Sequence, residues 1–248
     1  DPTKKQTFEW QAGSLFSIPL NVNHRFVNAT NSPALILCGT SAPNVMNLFD
    51  NPRFVFDCPF DFSDRYSGES DYFQPKDDIA PDPVRGLAMR KTNFIPDVIN
   101  CELPLDNRRS VGYRRVEPFM TNNQFYYWVA QHENGRYSKA HAHTSAAVLV
   151  CLKGKGYTYT WPEGMGMTPW RDGLGDKVLR QDYEPVGIVS AAALQGSATA
   201  VAVATTIPVV PRAGQLERLH ARLGLNVSKH TNWLGISGWA AAAVLTMI

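Results

Sequence analysis

The sequence predicts an all-β protein, because its strongest local signals are those of strands. Runs rich in aromatic and β-branched residues occur at 124–131 and 157–161, and such residues favour pleated, half-buried strands. An apolar run at 146–152 is followed by glycine, as a buried strand often is. With 248 residues, the chain is long enough for one large or two small domains with a sizeable core.

The first 50 residues contain strand candidates separated by turns. Strands are predicted over 7–10 and 15–19 on either side of a glycine-containing turn. The apolar run at 33–38 predicts a buried strand. Residues 45–49 are predicted as a short strand or a turn of helix.

Residues 51–120 are predicted to be an ordered connector. Pro, Asp and aromatic residues are frequent there, and a connection of this length is rarely featureless inside a compact protein. Short elements are predicted at 94–99 and 112–116.

The second half of the chain predicts a series of strands joined by tight turns. After a strand over 124–131, Glu-Asn-Gly at 133–135 is typical of a hairpin turn. Strands are then predicted through 141–152 and over 157–161, and a turn is predicted over 181–185.

The composition changes after Ser190. Residues 190–206 are rich in Ala, Thr, Ser and Val, and 215–225 predict an amphipathic helix. The apolar tail at 233–248 is shorter than the roughly 20 residues that a membrane-spanning helix needs. We therefore expect no membrane partner.

Charge and cysteine content exclude some classes of function. The net charge is +2 and the basic residues are scattered, which is not the pattern of a nucleic-acid-binding surface. Four cysteines occur without a C-x-x-C pair, and Cys38 and Cys151 lie in apolar runs. Buried free thiols are therefore expected, which favours a reducing, cytoplasmic location.

The most informative motif is His141-Ala142-His143. Gly135 precedes His141 with five residues between them, and Gly154 follows His143 with ten between them. Residues i and i+2 of a strand lie on the same face, so both imidazoles point the same way. Two imidazoles facing a barrel interior are suited to a divalent metal ion.

A second motif lies near the start of the chain. Gly13 is followed after five residues by Pro19, then after four by His24 and after three by Asn28. Asn21 lies within this motif.

Together these spacings resemble the two signature motifs of the cupin superfamily, with Asn21 where the family usually has glycine. The second motif precedes the first, as expected for a chain that resembles a bicupin truncated in its first barrel and divergent at its C-terminus. The resemblance implies a double-stranded β-helix, or jelly-roll, barrel. It implies a partial first barrel at 1–50, a connector at 51–123, a second barrel at 124–206 and a helical, apolar tail at 207–248.

The resemblance also implies a divalent metal ion, namely iron, manganese, nickel or zinc, bound by His141 and His143. Ala147 occupies the family's usual glutamate position, so the motif supplies two imidazoles. In a truncated bicupin, His24 is an orphan. In the alternative of a circularly permuted single cupin, His24 joins the pair in a three-histidine site. A further alternative is that His141 and His143 are relics lining a pocket without metal.

Several other side chains are candidates to line the same pocket. The polar residues at 181–184 are predicted to lie in a turn near the barrel mouth. Trp128, Tyr157, Tyr159 and Trp161 alternate along strands, and core packing is the role expected for most of them.

The resemblance implies a metal-dependent enzyme, with a dioxygenase-like oxidoreductase acting on a small or aromatic organic acid as the preferred class. The alternative is a non-catalytic cupin, structural or binding a small molecule, whose metal site has decayed. The expected partner is an organic acid, without nucleic acid or membrane. Exposed barrel edges favour a homodimer.

Overall fold

Strands dominate the part of the chain that the computed structural model describes, which comprises residues 3, 5–108, 110–120, 125–138, 140–141, 148–183, 188–190 and 243–247. The strands are β1 (Leu15–Ser17), β2 (Leu35–Gly39), β3 (Ile79–Pro81), β4 (Ala88–Lys91), β5 (Phe94–Ile95), β6 (Arg114–Phe119), β7 (Val129–Gln131), β8 (Val148–Val150), β9 (Gly156–Thr160), β10 (Leu179–Tyr183), β11 (Ile188–Ser190) and β12 (Ala243–Met247). The helices are α1 (Ala42–Phe49) and α2 (Pro52–Phe56), with single 3-10 turns at Glu163–Met165 and Gly175–Lys177.

The strands form two four-stranded sheets and two strand pairs. The first sheet has the order β2-β12-β1-β5, and its pairings are antiparallel. The second has the order β3-β4-β6-β7, in which β4 and β6 are parallel. Strands β9 and β10 pair with each other, as do β8 and β11.

Strand β1 contributes side chains to two hydrophobic cores. Phe16 is fully buried and packs with Ile18 and Phe94, and part-buried aromatic residues surround this first core. Leu15 packs instead with Ile95 in a second core. Because side chains alternate across a strand, neighbouring residues of β1 serve opposite faces. Residues before 40 together with Phe73 and Phe94 therefore cover one face of β1, and residues between 95 and 152 cover the other.

The second core joins β1 to later parts of the chain. Besides Leu15 and Ile95, it contains Val98 and Met120 as buried residues. Part-buried side chains from β7 and from the turn after β8 also pack against it. The core therefore connects the connector region to the segment that follows the His141 motif.

The structure confirms the β-rich fold class and several individual elements. Strands β1, β2 and β9 lie within or overlap the runs predicted to form them, and α1 confirms the helical alternative for 45–49. Short strands also occur at the two positions predicted in the connector. The described residues form open sheets, and no closed barrel is found among them.

Two predicted elements are wrong in the structure. Residues 7–10 form no strand, because no described strand pairs with their backbone, although the Phe8 ring packs against Phe16 and Phe73. Residues 181–183 are not a turn, because they continue β10 in register with β9. In addition, the strand predicted over 33–38 is only partly buried.

Much of the C-terminal region lies outside the described residues, including 191–206 and the helix predicted over 215–225. From the apolar tail, β12 is described, and its backbone pairs with both β1 and β2. No helix in the described part of the chain is long and apolar enough to cross a membrane.

The four cysteines are free, which confirms that prediction, and all of them are half-buried. Full burial of Cys38 and Cys151 is therefore wrong. Burial raises the pKa of both thiols, which keeps them protonated near neutral pH.

Removing the Phe16 ring should destabilise the protein strongly. We expect Phe16→Ala to lower the free energy of unfolding by about 3–5 kcal/mol, because the ring is fully buried and its loss leaves a cavity. Denaturant unfolding followed by circular dichroism measures the effect. Val84→Ala, at a side chain that is 90% exposed, is the control and should change stability by less than about 0.5 kcal/mol. A similar small effect for Phe16→Ala would contradict the central role of β1.

Candidate functional site

The glycines at the two ends of the His141 motif both adopt a left-handed backbone. Gly135 has φ +73° and Gly154 has φ +87°. Gly135 lies in a turn closed by a hydrogen bond of 3.1 Å from the Arg136 N–H to the Glu133 carbonyl oxygen. L-residues with a side chain rarely adopt this conformation, so the turn geometry explains glycine at both positions.

The two histidines of this motif are only partly described. His141 is exposed and lies before β8, whereas His143 and Ala147 fall outside the described residues. Strand β8 begins at Val148, immediately after Ala147. Of the strand predicted through 141–152, residues 148–150 form β8, whereas the prediction is wrong for His141 and for 151–152, which are described and lie outside any strand.

Gly13, the first residue of the second motif, is held against the segment after β5. The Val98 N–H donates to the Gly13 carbonyl oxygen at 2.8 Å, and Gly13 has φ +79°. A Cβ atom at this position would lie 3.0 Å from Oδ1 of Asp97. Both the backbone conformation and this close approach require glycine.

Asn21 also has a left-handed backbone, with φ +54°. Its side-chain Nδ2 donates to the carbonyl oxygens of Cys58, at 3.2 Å, and Phe60, at 2.9 Å. Asn is among the few residues with a side chain that tolerate this region of φ. Asn21 therefore meets the conformational demand that glycine meets elsewhere, and it also ties the motif to the start of the connector.

The ring of His24 is fixed in one orientation. Its Nδ1 lies 2.9 Å from the Val22 carbonyl oxygen, and its ring meets Phe26 edge-on with centroids 5.5 Å apart. A carbonyl oxygen accepts only, so Nδ1 carries the proton and Nε2 of the neutral ring keeps its lone pair. Histidines that bind metal through Nε2 are commonly oriented by such a bond to a backbone carbonyl.

The donor chemistry of the three motif histidines fits a divalent metal ion. Neutral imidazole is a ligand for zinc, iron, nickel and copper. His24 offers Nε2, and the i, i+2 spacing of His141 and His143 suits ligands on one face of a strand. Within the described residues, which do not include His143, no group of three or more His, Cys, Asp or Glu side chains is arranged to hold a metal ion.

His132 anchors the turn that precedes the His141 motif. Its Nε2 is 3.0 Å from the Ser138 hydroxyl and its Nδ1 is 3.4 Å from the Ser110 hydroxyl. Its ring also packs on Tyr113, with centroids 4.6 Å apart. Burial lowers the pKa of His132, so the ring is neutral at pH 7. These contacts join the turn to the loop before β6.

The aromatic residues predicted as core lie near the surface instead. Tyr157 is 53% exposed, and Tyr159 and Trp128 are also exposed. Trp170 from the loop after β9 meets Tyr159 and Trp161 edge-on, with centroids 5.4 and 5.3 Å apart. The prediction of core packing is therefore wrong for Trp128, Tyr157 and Tyr159.

The charged residues of β10 contact each other and the neighbouring strand β9. Nη2 of Arg180 donates to Oδ1 of Asp182 at 2.7 Å, and the guanidinium lies 4.3 Å from the Tyr157 ring centroid. The Gln181 backbone is in register with Thr158. Of the polar residues proposed at 181–184, Asp182 thus pairs with an arginine, and Glu184 lies outside the described residues.

A buried ion-pair network on β6 is the feature that sequence reasoning missed. Glu117 is 3% exposed and accepts from Arg115 and, at 2.7 Å, from Nη2 of Arg85. The Tyr126 hydroxyl lies 2.8 Å from Nη1 of Arg85. The signal was present as alternating charged residues around Val116, which is fully buried on the other face of β6.

Asp106 extends this network to a surface cleft. Arg108 binds its carboxylate with two hydrogen bonds, at 2.7 Å from Nε and 3.1 Å from Nη2. Nε of Arg115 lies 3.5 Å from Oδ2 of the same carboxylate. Burial on its own would raise the pKa of Asp106, but the bonds from Arg108 outweigh it and the pKa is lowered.

Comparison with known proteins finds no matching family model, no similar curated protein and no similar solved structure.

Neutralising Asp106 should remove part of the pH dependence of stability. Because the folded pKa of Asp106 is lowered, its contribution is present above the unfolded value of about 3.9 and is lost as pH falls through the folded value. We expect Asp106→Asn to cost about 1.5–3 kcal/mol at pH 7 and progressively less at lower pH. Urea unfolding between pH 7 and 3 measures this.

Arg108→Gln and Arg65→Gln test the cause of that pH dependence. Without Arg108, burial again dominates the pKa of Asp106, so stability should fall at a higher pH than in wild type. Arg65 is exposed and pairs with Asp64, so Arg65→Gln is the matched control. Identical acid profiles for all variants would show that Asp106 does not stabilise the fold.

Proposed function

We propose that this chain is a cupin-type metalloprotein in which His141 and His143 bind a divalent metal ion and His24 is the third ligand. The observation that carries the proposal is the backbone at the four glycine positions of the two motifs. Gly13, Asn21, Gly135 and Gly154 all have positive φ. Each motif position at which the family has glycine therefore has the left-handed backbone that favours glycine. This includes Asn21, the one position at which another residue replaces glycine.

The orientation of His24 supports its inclusion in the site. Its Nδ1 donates to a backbone carbonyl, which leaves Nε2 as the atom able to bind metal. A site that combines His24 with His141 and His143 is the one expected for a circularly permuted single cupin. The contact of Leu152 with the core around Leu15 brings the two motif regions together, since Leu152 belongs to the His141 motif and Leu15 to the motif that begins at Gly13.

The proposed activity is that of a dioxygenase-like oxidoreductase acting on a small or aromatic organic acid. A metal with open coordination positions supplies Lewis-acid or redox chemistry when it is bound. The protein's own role in this proposal is to supply the three imidazoles and to orient them toward the ion. Iron, manganese, nickel and zinc are the candidate ions.

A non-catalytic cupin that binds a small molecule is the second candidate. Ala147 occupies the position at which the family usually has a glutamate ligand, so a site built from this motif lacks its carboxylate. Imidazoles without a carboxylate place more of the coordination on water. This reading predicts weak metal binding without oxygen consumption.

Metal content is the direct test of the proposal. We expect purified protein, loaded in turn with iron, manganese, nickel and zinc and then desalted, to retain close to one ion per chain by mass spectrometry. His141→Ala/His143→Ala should lose at least nine-tenths of it, because both imidazoles are removed. His220→Ala is the control, since it removes an imidazole that belongs to neither motif.

His24→Ala separates the two arrangements of the site. Loss of metal from this variant supports a three-histidine site, and unchanged metal content reduces the site to the His141–His143 pair. Oxygen uptake with a panel of organic acids then distinguishes the enzyme from the non-catalytic alternative. Metal content that is unaffected by the double variant would refute the proposal.

A further inference from the structure

A cleft of about 240 Å³ opens beside the ion-pair network. It lies between the β3–β4 hairpin and the segment before β6, and its lining among the described residues includes no motif histidine. Its walls are mainly apolar. They include Ile79, Ala80, Pro81, Ala88, Pro104 and Leu105.

One end of the cleft is charged. Asp106, Arg108 and Arg115 line it, so its lining contains two guanidinium groups and one carboxylate. Both oxygens of Asp106 are already bonded to Arg108. Arg115 is paired with Glu117, which is not among the lining residues, so the lining residues alone carry one more positive than negative charge.

The arginines retain donor capacity for a ligand. Arg108 has a side chain that is 57% exposed, and its Nη1 makes only a long bond of 3.4 Å to the Arg85 carbonyl oxygen among the contacts described. Arg115 is 7% exposed, and its buried Nε makes no hydrogen bond in the described structure, although it lies 3.5 Å from Oδ2 of Asp106 as an ion pair. Buried donors are normally satisfied, so an unsatisfied one beside a cleft is unusual.

We propose that this cleft binds a small monocarboxylic acid with an apolar body. Arg108 receives the carboxylate, because a guanidinium matches a carboxylate with two parallel N–H groups. The apolar walls contact the apolar body of the ligand. The cleft is smaller than the roughly 300–1,000 Å³ of pockets for drug-sized ligands, which limits the ligand to a single ring or a short chain.

Other ligand classes fit the cleft less well. A cation meets a lining with net positive charge. A phosphate ion leaves the apolar walls uncovered, and a neutral molecule leaves the spare donors of Arg108 without an anionic partner. The proposal is independent of metal binding, since no described residue that lines the cleft belongs to either histidine motif.

Benzoate and benzamide form a matched pair of probes, because they differ in charge and share the ring. Calorimetric titration of the full chain in the presence of EDTA should show benzoate binding at least tenfold more tightly than benzamide. Inorganic phosphate should bind at least tenfold more weakly than benzoate. Equal affinity for benzoate and benzamide, tighter binding of phosphate, or no benzoate binding would overturn the proposal.

Three variants locate the site. Arg108→Gln should weaken benzoate binding at least tenfold, and Ala80→Phe should abolish it by filling the cleft without touching the ion pairs. Arg65→Gln, at an exposed arginine paired with Asp64, should bind as wild type does. Circular dichroism verifies that each variant is folded. Unchanged binding in a folded Ala80→Phe would place the ligand elsewhere and reject this cleft, whatever the outcome for metal.

Discussion

Burial of β1 on both faces is the constraint on which the rest of the described structure depends. Phe16 and Leu15 are adjacent in sequence yet belong to different cores, because consecutive side chains of a strand point in opposite directions. The same strand pairs with β5 on one edge and β12 on the other. Segments distant in sequence are thus gathered around three residues, and both histidine motifs are connected to that centre.

The second sheet depends on charge as well as on apolar packing. Arg115 lies between Asp106 and Glu117, and all three side chains are nearly buried. Taking ions out of water is costly, and a buried pair offsets that cost only when its partners are well placed. The network therefore favours one specific arrangement of β6 against the loops beside it. The same arrangement leaves an arginine facing the cleft.

The motif histidines and the cleft lie in different parts of the chain. The motif histidines follow turns at left-handed residues near β1 and before β8. The cleft is built from β3, β4 and the segment before β6. A protein that binds both a metal and a carboxylic acid at separate places would differ from an enzyme that holds its substrate on the metal itself. Independent titration of the two sites therefore bears on the choice between enzyme and binding protein.

The sequence by itself determined the β-rich class, several strands and the turns around Gly13 and Gly135, because alternation and turn residues act over a few neighbours. It did not determine that 7–10 would lack a ladder or that 181–183 would join one, since a ladder needs a partner strand. Nor did it reveal that Arg85, Asp106 and Glu117 meet at β6. Only tertiary structure decides such contacts, because they join residues far apart in the chain whose approach depends on the whole packing.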